Sequence, residues 1–577
     1  MVATLLSTAS PSHHGFEDDS SQEQLDTQSH TASTASNAAI PEGQGGVDVY
    51  ASTFQPGTRF YLAFVSLLVL ALMAALDATT LSVAVPRITH VLHGTAIEGF
   101  WSGTSFLLTS TVSQPVFGSF SDIFGRKLMI LVSLFLFSLG AILAAVTYGS
   151  MTLLLVGRSI QGIGGGGILV LVEIVVTDLV PLHFRGNYFS TIASMWSVGS
   201  VAGPLVGGAF TQEVSWRYLF WINLPFIGIA TPLVIWFLKL NLKTTSLGQQ
   251  LRRIDWIGMV LFIGAMTGFL IPLTWGGVMY PWDSWRTLVP LLICAATLVV
   301  FIVWEDRFAT DPLIRTRVIK NRTAAITFLG DFVQGVLLWY MPLYFQAVKG
   351  SSIILSGVDF LPATLTVAPA AVVVGAVIGK VGSYRWAIWA GWSLSTLGYG
   401  LQQLLDVHTS TAAWVLITLV TGVGTGMLYP SLTFAIQAAT PNKDQAYSVS
   451  LFTFFRAAGQ GVGVAVSGTI FQNSMKRQIL RHSSIAVHAS EWSADSTALV
   501  EIIKAMPPSL AKAELIQSYA DALRVIWAVM CALSGIALIT SLWTEHFDLN
   551  RELETDHGFK HEERKDAEKQ ADSAETS

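Results

Sequence analysis

Long apolar segments recur along most of the chain and leave little room for any fold other than a bundle of helices. Fourteen of them lie near residues 61–84, 100–120, 128–147, 152–175, 188–210, 218–238, 256–275, 287–304, 324–347, 354–378, 386–405, 412–434, 448–472 and 521–543. A helix needs about 20 apolar residues to cross the hydrocarbon core of a bilayer. Only 12% of all residues are charged, whereas about a quarter are charged in soluble proteins. The sequence therefore predicts an all-α integral membrane protein with fourteen transmembrane helices.

The two ends of the chain differ from these segments. Residues 1–57 are rich in Ser, Thr, Gln and Gly and contain no Lys or Arg. Such a composition buries too little apolar surface to offset the chain entropy, and it lacks the basic region of a signal peptide. We expect a disordered tail over residues 1–57 and a solvated tail over residues 545–577. The formal net charge of -5 comes largely from these tails, so no nucleic-acid partner is expected.

Basic residues flank the apolar segments unevenly. With the N-terminus inside, the short inner loops hold fifteen Lys and Arg residues and the short outer loops hold four. Since Lys and Arg concentrate on the cytosolic side of membranes, both termini are predicted to be cytosolic, in the plasma membrane or alternatively in the vacuolar membrane. The long outer loop 473–520 departs from this rule because it carries five basic residues. An amphipathic segment that lies on the membrane is one interpretation of it.

The loop between the second and third segments reads GSFSDIFGRKL over residues 118–128. A basic loop at the cytosolic surface is common, but an anchor of this kind does not need an acid such as Asp122. The loop resembles the signature of the major facilitator superfamily, and the matching residues are Gly118, Asp122, Gly125, Arg126 and Lys127. The resemblance implies two pseudo-symmetric six-helix halves that alternate in access. It also implies that Asp122, Arg126 and Lys127 latch the cytosolic face.

A second loop supports the duplication that this family implies. Residues 375–385 read GAVIGKVGSYR, so that Gly375 and Gly382 repeat the spacing of Gly118 and Gly125, although Gly379 stands where Asp122 would. The repeat falls at the expected place once two apolar segments are set aside as an insertion. We therefore predict halves over residues 58–240 and 321–544, with two inserted helices and a linker over residues 241–320.

The fifth segment contains the stretch SMWSVGSVAGPLVGGAF over residues 194–210. Small residues at helical spacing allow another helix to approach closely, and a proline is tolerated in a spanning helix. The stretch also resembles the motif of the antiporter branch of the superfamily. Its longer form begins with a glycine where this chain has Ser190. The matching residues are Gly199, Gly203, Pro204, Gly207 and Gly208.

Three further stretches narrow the resemblance to fourteen-span drug:proton antiporters. They are LDATTLSVAVP at 76–86, GRSIQGIGGGGIL at 157–169 and WRYLFWINLPFIG at 216–228. With VEIVVTDLVPLHFRG at 172–186, they are most similar to fungal multidrug and secondary-metabolite (toxin) exporters, over roughly residues 60–545. His183 departs from the usual Arg or Lys. The resemblance implies export of small amphipathic organic molecules in exchange for protons.

Other classes of protein fit the sequence less well. No phosphate-binding Gly-x-x-x-x-Gly-Lys-Ser/Thr loop occurs, so a proton gradient rather than ATP is the expected energy source. The two cysteines lie inside apolar segments, and neither a cofactor, a metal site nor a catalytic cluster is expected, which argues against an enzyme. A receptor would not need two halves with a latch. A proton-coupled importer, for instance of an iron chelate, is the main alternative within transport.

Ionisable residues inside apolar segments cost about 2.5–3.5 kcal/mol on insertion scales, so each needs a partner or a purpose. Asp77 and Arg158 are placed at similar depth by a rise of about 1.5 Å per residue, so they can pair. Asp331 and Arg456 also lie at one depth, though on helices that need not touch. Glu173 lies near the cytosolic end of its segment, a position from which it can simply reach water.

These residues form the predicted path of protons and substrate. Asp77 could carry the proton, bind a cationic substrate or only hold Arg158, and Gln161 follows Arg158 in the fourth-segment motif. The second candidate is the stripe of Asp331 and Gln334. The path also includes Trp339 and Tyr340, while Arg456 and Gln460 form a stripe suited to helix packing or gating.

Overall fold

The structure is a computed structural model that describes residues 56–241, 246–277, 279–337, 340–493, 496–551 and 558. Within these ranges the regular structure is helical and contains no strand. The predicted N-terminal tail lies outside the described residues except for residues 56–57, and so does Trp339.

The helices before the predicted insertion are α1 (Thr58–Val91), α2 (Ala96–Phe124), α3 (Arg126–Ala145), α4 (Met151–Leu179), α5 (Arg185–Ala209), α6 (Tyr218–Trp221) and α7 (Asn223–Phe237). Those that follow are α8 (Leu247–Arg252), α9 (Trp256–Trp275), α10 (Trp285–Arg307), α11 (Thr316–Lys320), α12 (Arg322–Val336), α13 (Met341–Ala347), α14 (Ile353–Asp359), α15 (Leu361–Val381), α16 (Arg385–Gln402), α17 (Thr411–Ala439), α18 (Gln445–Ile479), α19 (Ala489–Trp492), α20 (Ser496–Ala505) and α21 (Leu510–Ser541).

Twelve helical stretches in the described part of the chain are long and apolar enough to cross a membrane. The predicted count of fourteen is therefore not confirmed, although helices stand at all fourteen predicted positions. The two that fall outside the twelve are α2, which is rich in Ser, Thr and Gly, and α16, which has only 18 residues and includes three tryptophans. Helix α2 packs against α4, and a helix covered by its neighbours can carry the polar side chains that lower its mean hydropathy.

The helices pack in two groups. Helices α1–α7 pack on one another, and helices α12–α18 pack on one another together with α21. The groups meet where α5 packs on α15 and where α2 and α4 pack on α18. Helices α9 and α10 pack together, and α9 also lies against α2 and α18.

The two groups share a turn that the motifs do not reveal. Helix α4 leads through Pro181 into a short 3₁₀ helix at Leu182–Phe184, and α17 leads through Pro441 into another at Asn442–Asp444. The two prolines have nearly identical backbone angles, with φ of -57° in both and ψ of 145° and 146°. Such a repeated connection is the kind of echo that a duplicated chain leaves.

Two chain segments are more ordered than their composition suggests. Residues 545–551 are not a solvated tail, because Leu549 is 0% exposed and the Tyr384 hydroxyl donates to the carbonyl of Glu545 at 2.8 Å. The loop 473–520 is folded as the end of α18, helices α19 and α20 and the start of α21. Leu499 and Val500 on α20 are buried in the protein core rather than free to face a membrane.

The glycines of α5 allow the backbone of that helix to pack directly against α1. A Cβ atom on Gly199 would lie 2.4 Å from that of Ala75, and one on Gly207 would lie 2.5 Å from the carbonyl oxygen of Thr80. Such distances leave no room for a side chain. Gly203 meets Thr79 in the same way, with 1.9 Å to its hydroxyl oxygen. The glycine stripe therefore fixes the position of α1 on both sides of Asp77.

The Gly207→Ala variant tests this close contact between α5 and α1. The nearest atoms to the added methyl group belong to the backbone of Thr80, so the helices must separate, and we expect a loss of about 1–3 kcal/mol. The thermal unfolding of the purified protein in detergent measures it. Gly228→Ala on α7 is the matched control, because a Cβ there meets nothing within 4 Å, and helix propensity alone favours alanine by about 1 kcal/mol. Equal stability changes in the two variants would contradict the proposed contact.

Candidate functional site

The Asp77 cluster is a buried polar cluster formed by residues of α1, α4 and α7. The Nη1 atom of Arg158 donates to one carboxylate oxygen of Asp77 at 2.8 Å. The other oxygen accepts from Gln161 at 2.7 Å and from Asn223 at 2.8 Å. Both members of the ion pair are 2% exposed. The pairing that similar depth suggested is therefore present.

Arg158 makes further contacts besides its ion pair with Asp77. It donates through Nε to the carbonyl of Ser102 at 3.1 Å and through Nη1 to Gln161 at 2.8 Å, and it lies 4.3 Å from the ring centroid of Phe106. The three donors around Asp77 engage both of its carboxylate oxygens. This geometry favours the interpretation that Asp77 holds its arginine.

Sequence reasoning missed Asn223. It lies in the stretch WRYLFWINLPFIG at 216–228, which was matched as a whole, and it is 0% exposed. A buried amide needs hydrogen-bond partners, so an Asn within an apolar segment is itself a signal.

The Asp331 cluster is less satisfied. Asp331 on α12 is fully buried, and neither of its carboxylate oxygens accepts a hydrogen bond of good geometry among the described residues, although Arg456 is close enough to interact with it electrostatically. It forms no ion pair with Arg456, although α12 and α18 pack together. An isolated buried carboxylate is costly, whereas the protonated acid is far less so. The surroundings of Asp331 therefore suit a carboxyl group that carries a proton.

Gln334 extends this stripe by one turn. Its amide donates to the carbonyl of Thr425 on α17 at 3.2 Å, and its own carbonyl oxygen has no partner among the described residues. Tyr340 stacks on Phe471 with ring centroids 6.5 Å apart, which is a packing contact. Gln460 is half-buried one turn after Arg456.

Glu173 joins the two groups of helices. It is buried with 8% exposure, so it does not simply reach water as we expected. The hydroxyl of Tyr429 on α17 donates to it at 2.5 Å. The guanidinium of Arg456 in turn lies 4.6 Å from the ring centroid of Tyr429. The Asp331 cluster thus consists of Glu173 from the first group and Asp331, Tyr429 and Arg456 from the second. Tyr429 was missed by sequence reasoning.

The motif end of the bundle, where residues 118–128 lie, is held by Arg126. This side chain donates to Asp122 at 2.7 Å and to Asp178 on α4 at 2.9 Å. Gly125 turns the chain between α2 and α3 with a φ of 94°, which favours glycine. Lys127 donates to the carbonyl of Ile235 at the end of α7. Arg126 and Lys127 therefore brace α2, α3, α4 and α7 within one group.

Contacts between the two groups at the motif end come from other residues. Arg315 donates to Asp444 at 2.6 Å and approaches Asp122 at 3.6 Å, so one side chain spans both groups. Its guanidinium also lies 3.7 Å from the ring centroid of Tyr447. Burial lowers the pKa of Arg315, but the phenol and the carboxylates around it outweigh that effect, so its pKa is raised above the usual value. Sequence reasoning counted Arg315 only as a basic residue of the linker.

The contact between α5 and α15 gives a steric reason why Gly379 stands where the first half has Asp122. A Cβ on Gly379 would lie 3.0 Å from the carbonyl oxygen of His183, and one on Gly375 would lie 2.6 Å from the hydroxyl of Ser190. A carboxylate at position 379 would meet the backbone of the other group. Ser190, which replaces the first glycine of the longer motif, donates to the carbonyl of Ala371 at 2.8 Å.

A bundle of long apolar helices in two groups, with charges buried among them, defines a multi-pass membrane protein. The chain belongs to the Major Facilitator Superfamily, because the model of that family matches residues 67–464. It is 55% identical to "MFS transporter L2" of a Phoma species over 525 residues, which cover 90% of this chain and 88% of that protein. It is 34% identical to "MFS-type efflux pump LUC4" of a Fusarium species over 565 residues, which cover 96% and 99% of the two chains.

Solved structures agree on the fold. The human organic anion transporter MFSD10 matches with a TM-score of 0.53 at 17% identity, over 84% of this chain and 100% of that one. The proton:xylose symporter XylE matches with a TM-score of 0.50 at 14% identity, over 80% and 98% of the two chains.

Removing the charge of Asp77 should destabilise the protein. The Asp77→Asn variant leaves Arg158 buried without its counter-charge, a change that typically costs about 3–5 kcal/mol. Thermal unfolding in detergent measures the loss. The double variant Asp77→Asn with Arg158→Gln should recover part of it, because no charge is then left unpaired. A double variant that is less stable than Asp77→Asn alone would contradict this account.

Proposed function

We propose that this protein is a proton-coupled exporter of small amphipathic organic molecules that works by alternating access. The relatives whose names describe efflux pumps support export. The observation that carries the proton coupling is the Asp331 cluster, in which two buried acids from different helix groups both interact electrostatically with Arg456. Such intramembrane acids are typical of proton relays.

The cluster suggests how proton binding and movement are linked. Glu173 and Tyr429 bond to each other across the groups, so this contact must break when the groups rock apart at the motif end. The charge on Asp331 and Glu173 decides how costly that separation is, because each acid is buried in an apolar bundle. Protons that enter from the outside would neutralise the acids, and cytosolic water would release them before substrate binds.

We propose the following arrangement in the membrane. Helices α2 and α16 cross it together with the twelve apolar stretches, which gives fourteen spans with both termini in the cytosol. The halves comprise residues 58–240 and 321–544, and α9 and α10 are the inserted pair. The basic loops at the motif end support a cytosolic location for that end. The plasma membrane is the expected site, with the vacuolar membrane as the alternative.

Transport in inside-out vesicles tests the proposed coupling. We expect vesicles with an acidified lumen to accumulate a fluorescent amphipathic dye, chosen beforehand in a growth assay across toxins and azole-like drugs. The Asp331→Asn variant should lose at least about tenfold of this accumulation, because a relay acid has been removed. It should still exchange labelled for unlabelled dye without a gradient. A proton-coupled importer would show no accumulation under these conditions.

The matched comparison is Asp77→Asn, because both variants remove one buried carboxylate from a spanning helix. If Asp77 only holds Arg158, this variant lowers the amount of folded protein while each remaining molecule still responds to the gradient. The opposite result, gradient-driven uptake that survives in Asp331→Asn and disappears in Asp77→Asn with exchange intact, would assign the proton to Asp77.

The Arg315 bridge should hold the cytosolic face closed. We expect Arg315→Gln to shift the protein toward the state that is open to the cytosol, because the variant loses the contacts to both Asp122 and Asp444. A single cysteine introduced at Gly118, which lies against Ser450 between the groups, should then react with a membrane-impermeant thiol reagent about fivefold faster in inside-out vesicles.

The control for this experiment is Arg317→Gln. Arg317 donates to the same oxygen of Asp444 at 2.6 Å but makes no ion pair with Asp122 among the described residues. Both control and variant keep the cysteine at position 118, so its own effect cancels. Equal labelling of the two would show that Asp444, and not the bridge to Asp122, controls closure.

A further inference from the structure

The inserted helices α9 and α10 contain a pair of carboxyl groups that the transport cycle described above does not use. Asp255 caps the start of α9 and accepts from the backbone N–H of Gly258 at 2.9 Å. Glu305 lies near the end of α10 and is 4% exposed. The two side chains point at one place, the site that a Cβ on Gly258 would occupy. Asp255 Oδ2 lies 2.2 Å from it and Glu305 Oε1 lies 2.6 Å from it.

The hydrogen bonds around the pair leave one oxygen without a donor. Asp255 accepts from the indole of Trp304 at 3.0 Å, and Glu305 Oε2 accepts from the backbone N–H of Ile314 at 3.2 Å. Glu305 Oε1 is buried and has no partner among the described residues. Two anionic oxygens that both lie near one point would repel each other, whereas a proton on one of them removes this repulsion and supplies the missing donor.

The cations on the neighbouring elements are engaged elsewhere. Arg253, two residues before Asp255, pairs with Asp311 at 2.9 Å, and Lys320 on α11 pairs with Asp306. Arg252 at the end of α8 and Arg307 at the end of α10 are exposed. Within the described part of the chain, no ion pair reaches Asp255 or Glu305, so a cation from these elements does not balance the pair.

We propose that Asp255 and Glu305 share one bound proton, which makes the inserted helices a proton-binding site at the motif end. Glu305 donates the proton from Oε1 to Asp255 Oδ2, and Asp255 stays ionised with the N–H groups of Gly258 and Trp304 as donors. Asp255 is only half-buried, so the proton can exchange with water. This site does not depend on the proposed proton-driven export.

The pair has a mechanical consequence for the linker. Glu305 accepts a hydrogen bond from the backbone N–H of Ile314. The next residue is Arg315, which bridges Asp122 and Asp444. When the shared proton leaves, repulsion between the two carboxylates separates the ends of α9 and α10 and loosens the seat of Ile314. Alkaline cytosol would therefore weaken the closed face through the inserted helices.

The pH dependence of stability tests the shared proton. Unfolded Glu ionises at a pKa of about 4.3, so above that pH, and until the shared proton leaves the folded protein, the folded protein binds one more proton than the unfolded chain and stability falls as pH rises. We expect the thermal midpoint of the full-length protein in detergent to fall between about pH 6 and pH 9. The isosteric variant Glu305→Gln should remove about 1–2 °C of this fall per pH unit.

Two further variants keep the test decisive. Asp306→Asn removes an exposed carboxylate next to Glu305 and should keep the wild-type slope. Asp255→Asn retains a good helix cap and should flatten the slope even if Glu305→Gln folds poorly. A slope that is the same in the wild type, Glu305→Gln and Asp255→Asn would overturn the proposal.

A metal cation in place of the proton is the remaining outcome. Sodium or potassium chloride would then stabilise the wild type at alkaline pH more than choline chloride of equal concentration does, and Glu305→Gln would lose this difference. That result would also overturn the proposal. Because the readout is unfolding, failure of proton-driven transport in vesicles would leave it unaffected.

Discussion

The structure depends on how a charge is accommodated between apolar helices. A buried carboxylate must find donors or hold a proton, because its desolvation is not otherwise compensated. Asp77 follows the first course, with three hydrogen bonds and a cation. Asp331 lacks such well-formed hydrogen bonds among the described residues, and in the proposed function it follows the second. The two acids look alike in the sequence, and their surroundings give them different chemistry.

Close backbone contact is what keeps each acid in its surroundings. The α5 glycines place α1 so that Asp77 faces Arg158. A different seam, where Gly375 and Gly379 meet the backbone of the other group, joins the two groups. Small residues allow these approaches because interhelical contact in a membrane relies on packing rather than on the hydrophobic effect. The first seam holds one group together, while the second lies between the two groups that move against each other in the proposed function.

The sequence predicts much of this arrangement and misses a definable part. The apolar segments placed every long helix, because hydropathy and helix length are local properties. Depth along a helix is also a local property, and it correctly predicted that Asp77 and Arg158 can pair. Tyr429 and Asn223 were missed because their partners lie far away in the chain, 256 and 146 residues from them. The prediction that Glu173 can reach water failed since depth alone does not show that another helix covers it.

The linker illustrates best why partners cannot be derived from position alone. Positive-inside counting treats Arg315, Arg317 and Lys320 as equivalent, yet only Arg315 contacts carboxylates on both groups of helices among the described residues. The difference arises because Ile314 is tied to Glu305 on the inserted pair, which fixes where the next residue points. Two helices that line neither buried cluster therefore still help to position the Arg315 bridge between the groups.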